Sequence, residues 1–211
     1  MIANLAALRY RSVCAEDGGP ISVLETGQFD LRGEDVYQAN ATLREELAPK
    51  RGAKLFSPGD GSGTHRTAVV ARHIAVSEAI ERWALLTVLR EDRGEKYGFG
   101  VDPTSNGMAA FPGILARQAR RFAWLEAVER YCLFAWWEGR AEGGFIKTQW
   151  EGVSGVEIHG PFDARKVRVV VLFARTDSGR YAYGHAAGEN FAQATAVALF
   201  KRLRSVGRRA L

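Results

Sequence analysis

Two stretches of the chain are apolar on almost every side. From Ile74 to Leu89 the polar side chains are confined to Ser77, Glu78, Glu81, Arg82 and Thr87, and from Phe122 to Trp137 the charged ones are Glu126, Glu129 and Arg130. Both runs consist of strong helix formers, and a helix that is apolar nearly all round is a buried helix. The pattern predicts α-helices over about 67–91 and 113–137. At 1.5 Å per residue each spans about 35–40 Å, the width of a domain, so both are expected at its centre. A third helix is expected over about 190–206. Period-two alternation or β-rich runs predict strands at 8–14, 21–25, 36–43, 96–101, 144–150, 154–159 and 165–174, with Arg180–His185 returning from a turn at Asp177-Ser178-Gly179. Residues 27–34 read as loop and 45–52 as a short helix or loop. Glycine-containing loops are expected to open each helix: Ser57 to Arg66 before the first, Asp102 to Gly107 before the second, Gly184 to Gly188 before the third.

The resulting order is strands, helix, strand, helix, strands, helix. That is an α+β fold, with two long central helices and a third, C-terminal helix packed on antiparallel or mixed β-sheets. At 211 residues a single domain over 1–211 is expected: N-terminal strands and loop at 1–52, the core at 53–206 and a basic tail at 207–211.

Composition narrows the function classes. Hydrophobic residues at 46 % and charged residues at 25 % are ordinary for a folded globular chain. No apolar run is long enough to span a membrane, and Met1 to Leu8 is too short and lacks the basic start of a signal peptide. Two cysteines, Cys14 and Cys132, are too few for a disulfide framework and are not spaced for zinc, and Cys132 reads as a core thiol. A cytoplasmic location is the expectation. The net charge of +5 is concentrated in Lys201, Arg202, Arg204, Arg208 and Arg209. Such a run is either a solvated helix face or a contact for nucleic acid or an acidic partner. Without an aromatic RNA-binding signature or zinc-finger spacing, a peptide or protein partner is expected rather than nucleic acid.

The charged residues inside the two apolar runs carry the candidate chemistry. Glu78-Ala79-Ile80-Glu81-Arg82-Trp83 and Glu126-Ala127-Val128-Glu129-Arg130-Tyr131 share the form Glu-Ala-aliphatic-Glu-Arg-aromatic. On a helix the two glutamates and the arginine of each unit share a face. One reading is a pair of surface ion pairs, worth a few tenths of a kcal/mol each. The other follows from the surrounding apolar stripe. Carboxylates there are costly unless paired or bound to metal, which makes Glu78, Glu81, Glu126 and Glu129 a candidate cation site, with Arg82 and Arg130 available to anionic oxygens. Ser57 to Arg66, with Gly59, Gly61 and Gly63, is either a flexible loop or a close approach for an anion at a helix N-terminus; it is not a P-loop, because no Gly-Lys-Ser/Thr follows. His65, His73, His159 and His185 are scattered, with no two at metal spacing, and each reads as structural. No catalytic serine elbow or cysteine signature is present.

These segments resemble YcaO-domain proteins. Gly61-Ser62-Gly63 followed by Ser77-Glu78-Ala79-Ile80-Glu81-Arg82-Trp83 is similar to the family's first helix and its glycine-rich lead-in. Thr104-Ser105-Asn106-Gly107-Met108-Ala109-Ala110 followed by Trp124-Leu125-Glu126-Ala127-Val128-Glu129-Arg130 is similar to its second. Gly184-His185-Ala186-Ala187-Gly188 with Ala192 to Leu199 is similar to a third, weaker element, so the likeness runs in order over about 53–206. The resemblance implies an ATP site without a P-loop. Glu78, Glu81, Glu126 and Glu129 would hold Mg²⁺, and Arg82, Arg130 and Gln118 would contact the nucleotide. It also implies ATP-dependent activation of a peptide amide oxygen in the modification of a ribosomally made peptide, as in a cyclodehydratase.

Three positions depart from the family pattern. Ile74 replaces a serine, Gln118 a glutamate, and Lys201 stands near an acidic position. Two functions are therefore carried forward. One is an ATP-dependent peptide-modifying enzyme, and the other is a relative without ATP turnover that binds a peptide or scaffolds a partner. Trp136-Trp137 marks either core packing or a homodimer surface.

Overall fold

The computed structural model describes residues 13, 18–31, 34–47, 59–90, 116–159, 167–175 and 179–195. The expected strands at 96–101 and over most of 8–14, the turn at 102–107, Cys14, residues 48–52, the last helix beyond 195 and the basic tail lie outside them. The chain divides into two compact units, Met1–Ala123 and Trp124–Leu211. The fold is α+β, with two antiparallel sheets and helices.

The first unit is built on a three-stranded sheet in the order β1 (Ile21–Leu31), β2 (Glu34–Leu43), β3 (Gly61–His65), both pairs antiparallel. Helix α1 (Ala68–Arg90) packs across it. Alternation assigns the faces. Ala39, Ala41 and Leu43 of β2 meet Ala71, Ala75, Val76 and Ala79 of α1 in a core completed by Ile21. Small residues dominate both sides, so helix and sheet backbones come close together. As the apolar pattern requires, α1 is enclosed: of residues 68–84 only Val69, Arg72 and Ala84 are exposed.

Two expectations fail in this unit for one reason. Residues 27–31, expected as loop, continue β1, and Gly61 to His65, expected as a glycine-rich loop, is strand β3. Glycine weakens β propensity, but cross-strand pairing decides the outcome: Gly27 pairs with Gln38, Gly61 with Ala41 and Gly63 with Ala39.

The second unit is a four-stranded antiparallel meander: β4 (Glu142–Ile146), β5 (Ser154–His159), β6 (Arg168–Arg175), β7 (Tyr181–Gly188). Both faces are covered. Val169, Val171 and Phe173 of β6 meet Val128 and Cys132 of α2 (Ala116–Trp137), while Val170, Leu172 and Ala174 meet Ala194 and Phe191 of the helix at 191–195. Burial on both sides is why β6 reads as a continuous apolar run rather than an alternation.

Capping residues set the helix ends. Gly139 has φ 72°, the Gly139 N–H donates to Trp136 O at 3.1 Å, and the Arg140 N–H donates to Ala135 O at 2.7 Å. This is the Schellman arrangement, which favours glycine at the left-handed position. Asn190 caps the last helix, its Oδ1 accepting the Gln193 N–H at 2.8 Å. Helix α2 differs from the expectation of a fully buried helix. One face lies on the sheet, and the opposite face leaves Trp124, Tyr131, Phe134 and Trp137 exposed. Residues 184–188, expected as loop, complete β7.

Candidate functional site

In the first unit the repeated motif is brought to the edge strand β3. Gly61 and Gly63 face α1, where an added Cβ would meet Ala75 O at 2.0 Å and Ala71 O at 2.1 Å. Only glycine permits this approach, and the approach puts the helix side chains within reach of the strand backbone. Glu78 Oε2 accepts the Ser62 N–H at 2.9 Å, and Glu78 Oε1 accepts from Arg82 Nη2 at 3.4 Å. An edge strand leaves its outward N–H groups without ladder partners, and the carboxylate supplies one here. The Glu78 side chain remains 35 % exposed and that of Arg82 18 %. Glu81 lies on the same helix and is partly buried. On β2 and β3, with alternation directing them to the sheet face away from α1, Asn40 Oδ1 and Thr64 Oγ1 are buried without a hydrogen-bond partner.

At the start of α1, His65 Nδ1 accepts the Thr67 N–H at 3.0 Å and lies 2.9 Å from Thr67 Oγ1. Burial, with the neighbouring Arg66 charge, holds the His65 imidazole below its ordinary pKa. His73 is lowered by burial and by Arg72.

In the second unit the motif reaches edge strand β7, through the other glutamate. Glu129, only 6 % exposed, accepts the Ala187 N–H on Oε2 at 3.0 Å, and its Oε1 lies 2.7 Å from His185 Nδ1. The His185 side chain is one-third exposed and its ring stacks on Tyr183 at 6.5 Å between centroids with a 24° interplanar angle. Glu126 pairs with Arg130, both half-buried. One turn beyond Glu129, Cys132 is a buried free thiol whose pKa is raised by burial, as expected of a core residue.

Of the predicted site residues, Glu78 is joined to Arg82 and Glu126 to Arg130, as the i, i+4 spacing requires. Gln118 lies in the first turn of α2 and is half-buried. Each unit holds two of the four glutamates, and among the described residues no three His, Cys, Asp or Glu side chains gather as a metal site. Sequence reasoning missed Ser62 and His185. The signal for His185 was available in the alternation Tyr181, Tyr183, His185, Ala187, which places it on the α2 side of β7, opposite Val171 of β6.

No protein-family model matches the chain, and no curated protein or solved structure shows significant similarity to it. Among the described residues no helix is long and apolar enough to cross a membrane.

Proposed function

We propose that the chain is a YcaO-like protein that binds Mg–ATP through its Glu-Ala-x-Glu-Arg helices and uses it to activate a backbone amide of a ribosomally made peptide. The observation that carries this reading is the setting of Glu78. Its carboxylate is oriented by the Ser62 N–H inside the Gly61-Ser62-Gly63 strand, stands beside the Arg82 guanidinium and is still one-third open to solvent. Mg²⁺ takes oxygen ligands and is commonly held by one or two carboxylates together with phosphate oxygens, while arginine suits phosphate. In this reading Glu78 and Glu81 of the first unit and Glu126 of the second are candidate carboxylates for the metal, while Glu129, the fourth that the resemblance names, is engaged by the Ala187 N–H and His185; Arg82, Arg130 and Gln118 are the candidate nucleotide contacts. When bound, Mg–ATP would supply the phosphoryl group that makes the amide oxygen a leaving group. The protein's part is to orient the nucleotide and the peptide.

A second reading has its own observation. Both oxygens of Glu129 are engaged by groups of the second unit itself, the Ala187 N–H and His185. In a relative without ATP turnover the motif would serve as a clasp between helix and strand, and the chain would bind a peptide or scaffold a partner. Calorimetric titration of the purified protein with Mg–ATP separates the two. The enzyme reading expects a Kd below about 1 mM and a loss of about tenfold or more, equivalent to ~1.4 kcal/mol, in Glu126→Gln. No heat at millimolar nucleotide sinks it.

A further inference from the structure

We infer that Glu129 and His185 form an orienting pair that presents His185 Nε2 as an acceptor for the hydrogen of a protic group. Three observations converge on this. Glu129 is buried and fixed from two directions: Oε2 accepts the Ala187 N–H at 3.0 Å, and Oε1 lies 2.7 Å from His185 Nδ1. An ionised carboxylate only accepts hydrogen bonds, so the proton between them sits on Nδ1. In a neutral imidazole that leaves the lone pair on Nε2. The ring lies near-parallel to that of Tyr183 and its side chain is one-third exposed, so the Nδ1 edge is bonded while part of the ring reaches solvent.

A buried carboxylate locked to a backbone amide fixes the orientation of the ring as well as its tautomer. The combination of base, orienting carboxylate and fixed tautomer is the one that proton-accepting imidazoles use. The ligand class is a hydroxyl, thiol or amine whose hydrogen Nε2 accepts. Glu126, one turn before Glu129 on the same helix, pairs with Arg130, the residue that follows Glu129. In the function proposed above, on which this role rests, the protic group is the nucleophile that attacks the activated amide carbon. Glu129 is then a positioning residue, acting through His185 rather than on the substrate.

The test uses the whole protein and needs no substrate. Long-range ¹H–¹⁵N correlation spectra of the wild type should show His185 with a protonated Nδ1 and an unprotonated Nε2. Diethyl pyrocarbonate, which acylates an available imidazole nitrogen, should modify His185 faster than the exposed His159, as read by peptide mass mapping. Glu129→Gln keeps the side-chain volume, and it should slow His185 modification by about tenfold, taking as guide the lower end of the loss when the outer-shell partner of a metal-bound imidazole is removed. His159 should be unchanged. A wild-type spectrum with the proton on Nε2 overturns the inference whether or not the variant folds, as does a His185 rate no greater than that of His159. Both results are independent of the Mg–ATP titration, so failure here and failure of the nucleotide reading are told apart.

Discussion

At the scale of single residues, the two lowered histidines make stability depend on pH. His65 Nδ1 accepts the Thr67 N–H at the start of α1, and an imidazolium could not accept it. Burial lowers the pKa of both His65 and His73 from 6.5, assisted by Arg66 and Arg72 respectively. Between 6.5 and the lowered values the unfolded chain binds more protons than the native one. Stability therefore rises with pH in that window. It is fully present above 6.5 and is lost as pH falls through the lowered values. Urea melts at a series of pH values should show this slope, and it should flatten in the double variant His65→Asn/His73→Gln. A slope unchanged in that variant would place the titration elsewhere. The ion pairs that the spacing made legible, Glu78 with Arg82 and Glu126 with Arg130, are half-buried and do not decide stability in the same way.

At the scale of elements, the sequence was most legible where one local rule and the tertiary contacts agree. Helix α1 was expected at 67–91 and lies at Ala68–Arg90, and over 68–84 its apolar run matches a helix with few exposed side chains. Strands β5 and β6 fall where their β-branched runs placed them. Strand β3 and the end of β1 were not legible, because glycine argues locally for a loop and only the pairing partners reverse that. The candidate site was legible to a similar degree. The doubled motif was read from spacing, but which glutamate turns to a strand depends on how each helix meets its sheet: Glu78 in one unit, Glu129 in the other. The glycines of β3 give the sharpest test of this account. Gly61→Ala and Gly63→Ala each drive a Cβ into helix backbone at about 2 Å, a contact no rotamer relieves. Each should cost about 3 kcal/mol or prevent folding, at the upper end for overpacking. Gly27→Ala, where nothing lies within 4 Å, should be close to neutral. Thermal melts compare the three, and a Gly63→Ala protein as stable as Gly27→Ala would mean that α1 does not lie against β3 as described.

At the scale of the whole molecule, the net charge of +5 competes with the nucleotide reading as an explanation for any anion binding. The basic run at Lys201, Arg202, Arg204, Arg208 and Arg209 lies outside the described residues, so solution behaviour must decide what it contributes. A diffuse basic surface binds duplex DNA through released counterions, with Kd values of about 10⁻⁴–10⁻⁶ M at physiological salt and a steep loss as salt rises. Under the proposed function, nucleotide held by half-buried Glu–Arg pairs would be screened far less, because buried and partly buried pairs feel salt weakly. The two modes therefore differ in salt slope more than in affinity. Fluorescence anisotropy with a labelled DNA duplex and calorimetry with Mg–ATP, each at about 50 and 200 mM salt, should show DNA affinity falling by at least about tenfold while the nucleotide Kd changes by less than about threefold. DNA binding that stays below about 1 μM at the higher salt would make nucleic acid the partner and displace the peptide-directed function. A nucleotide affinity that falls away as steeply as that for DNA would assign ATP to the same diffuse charge.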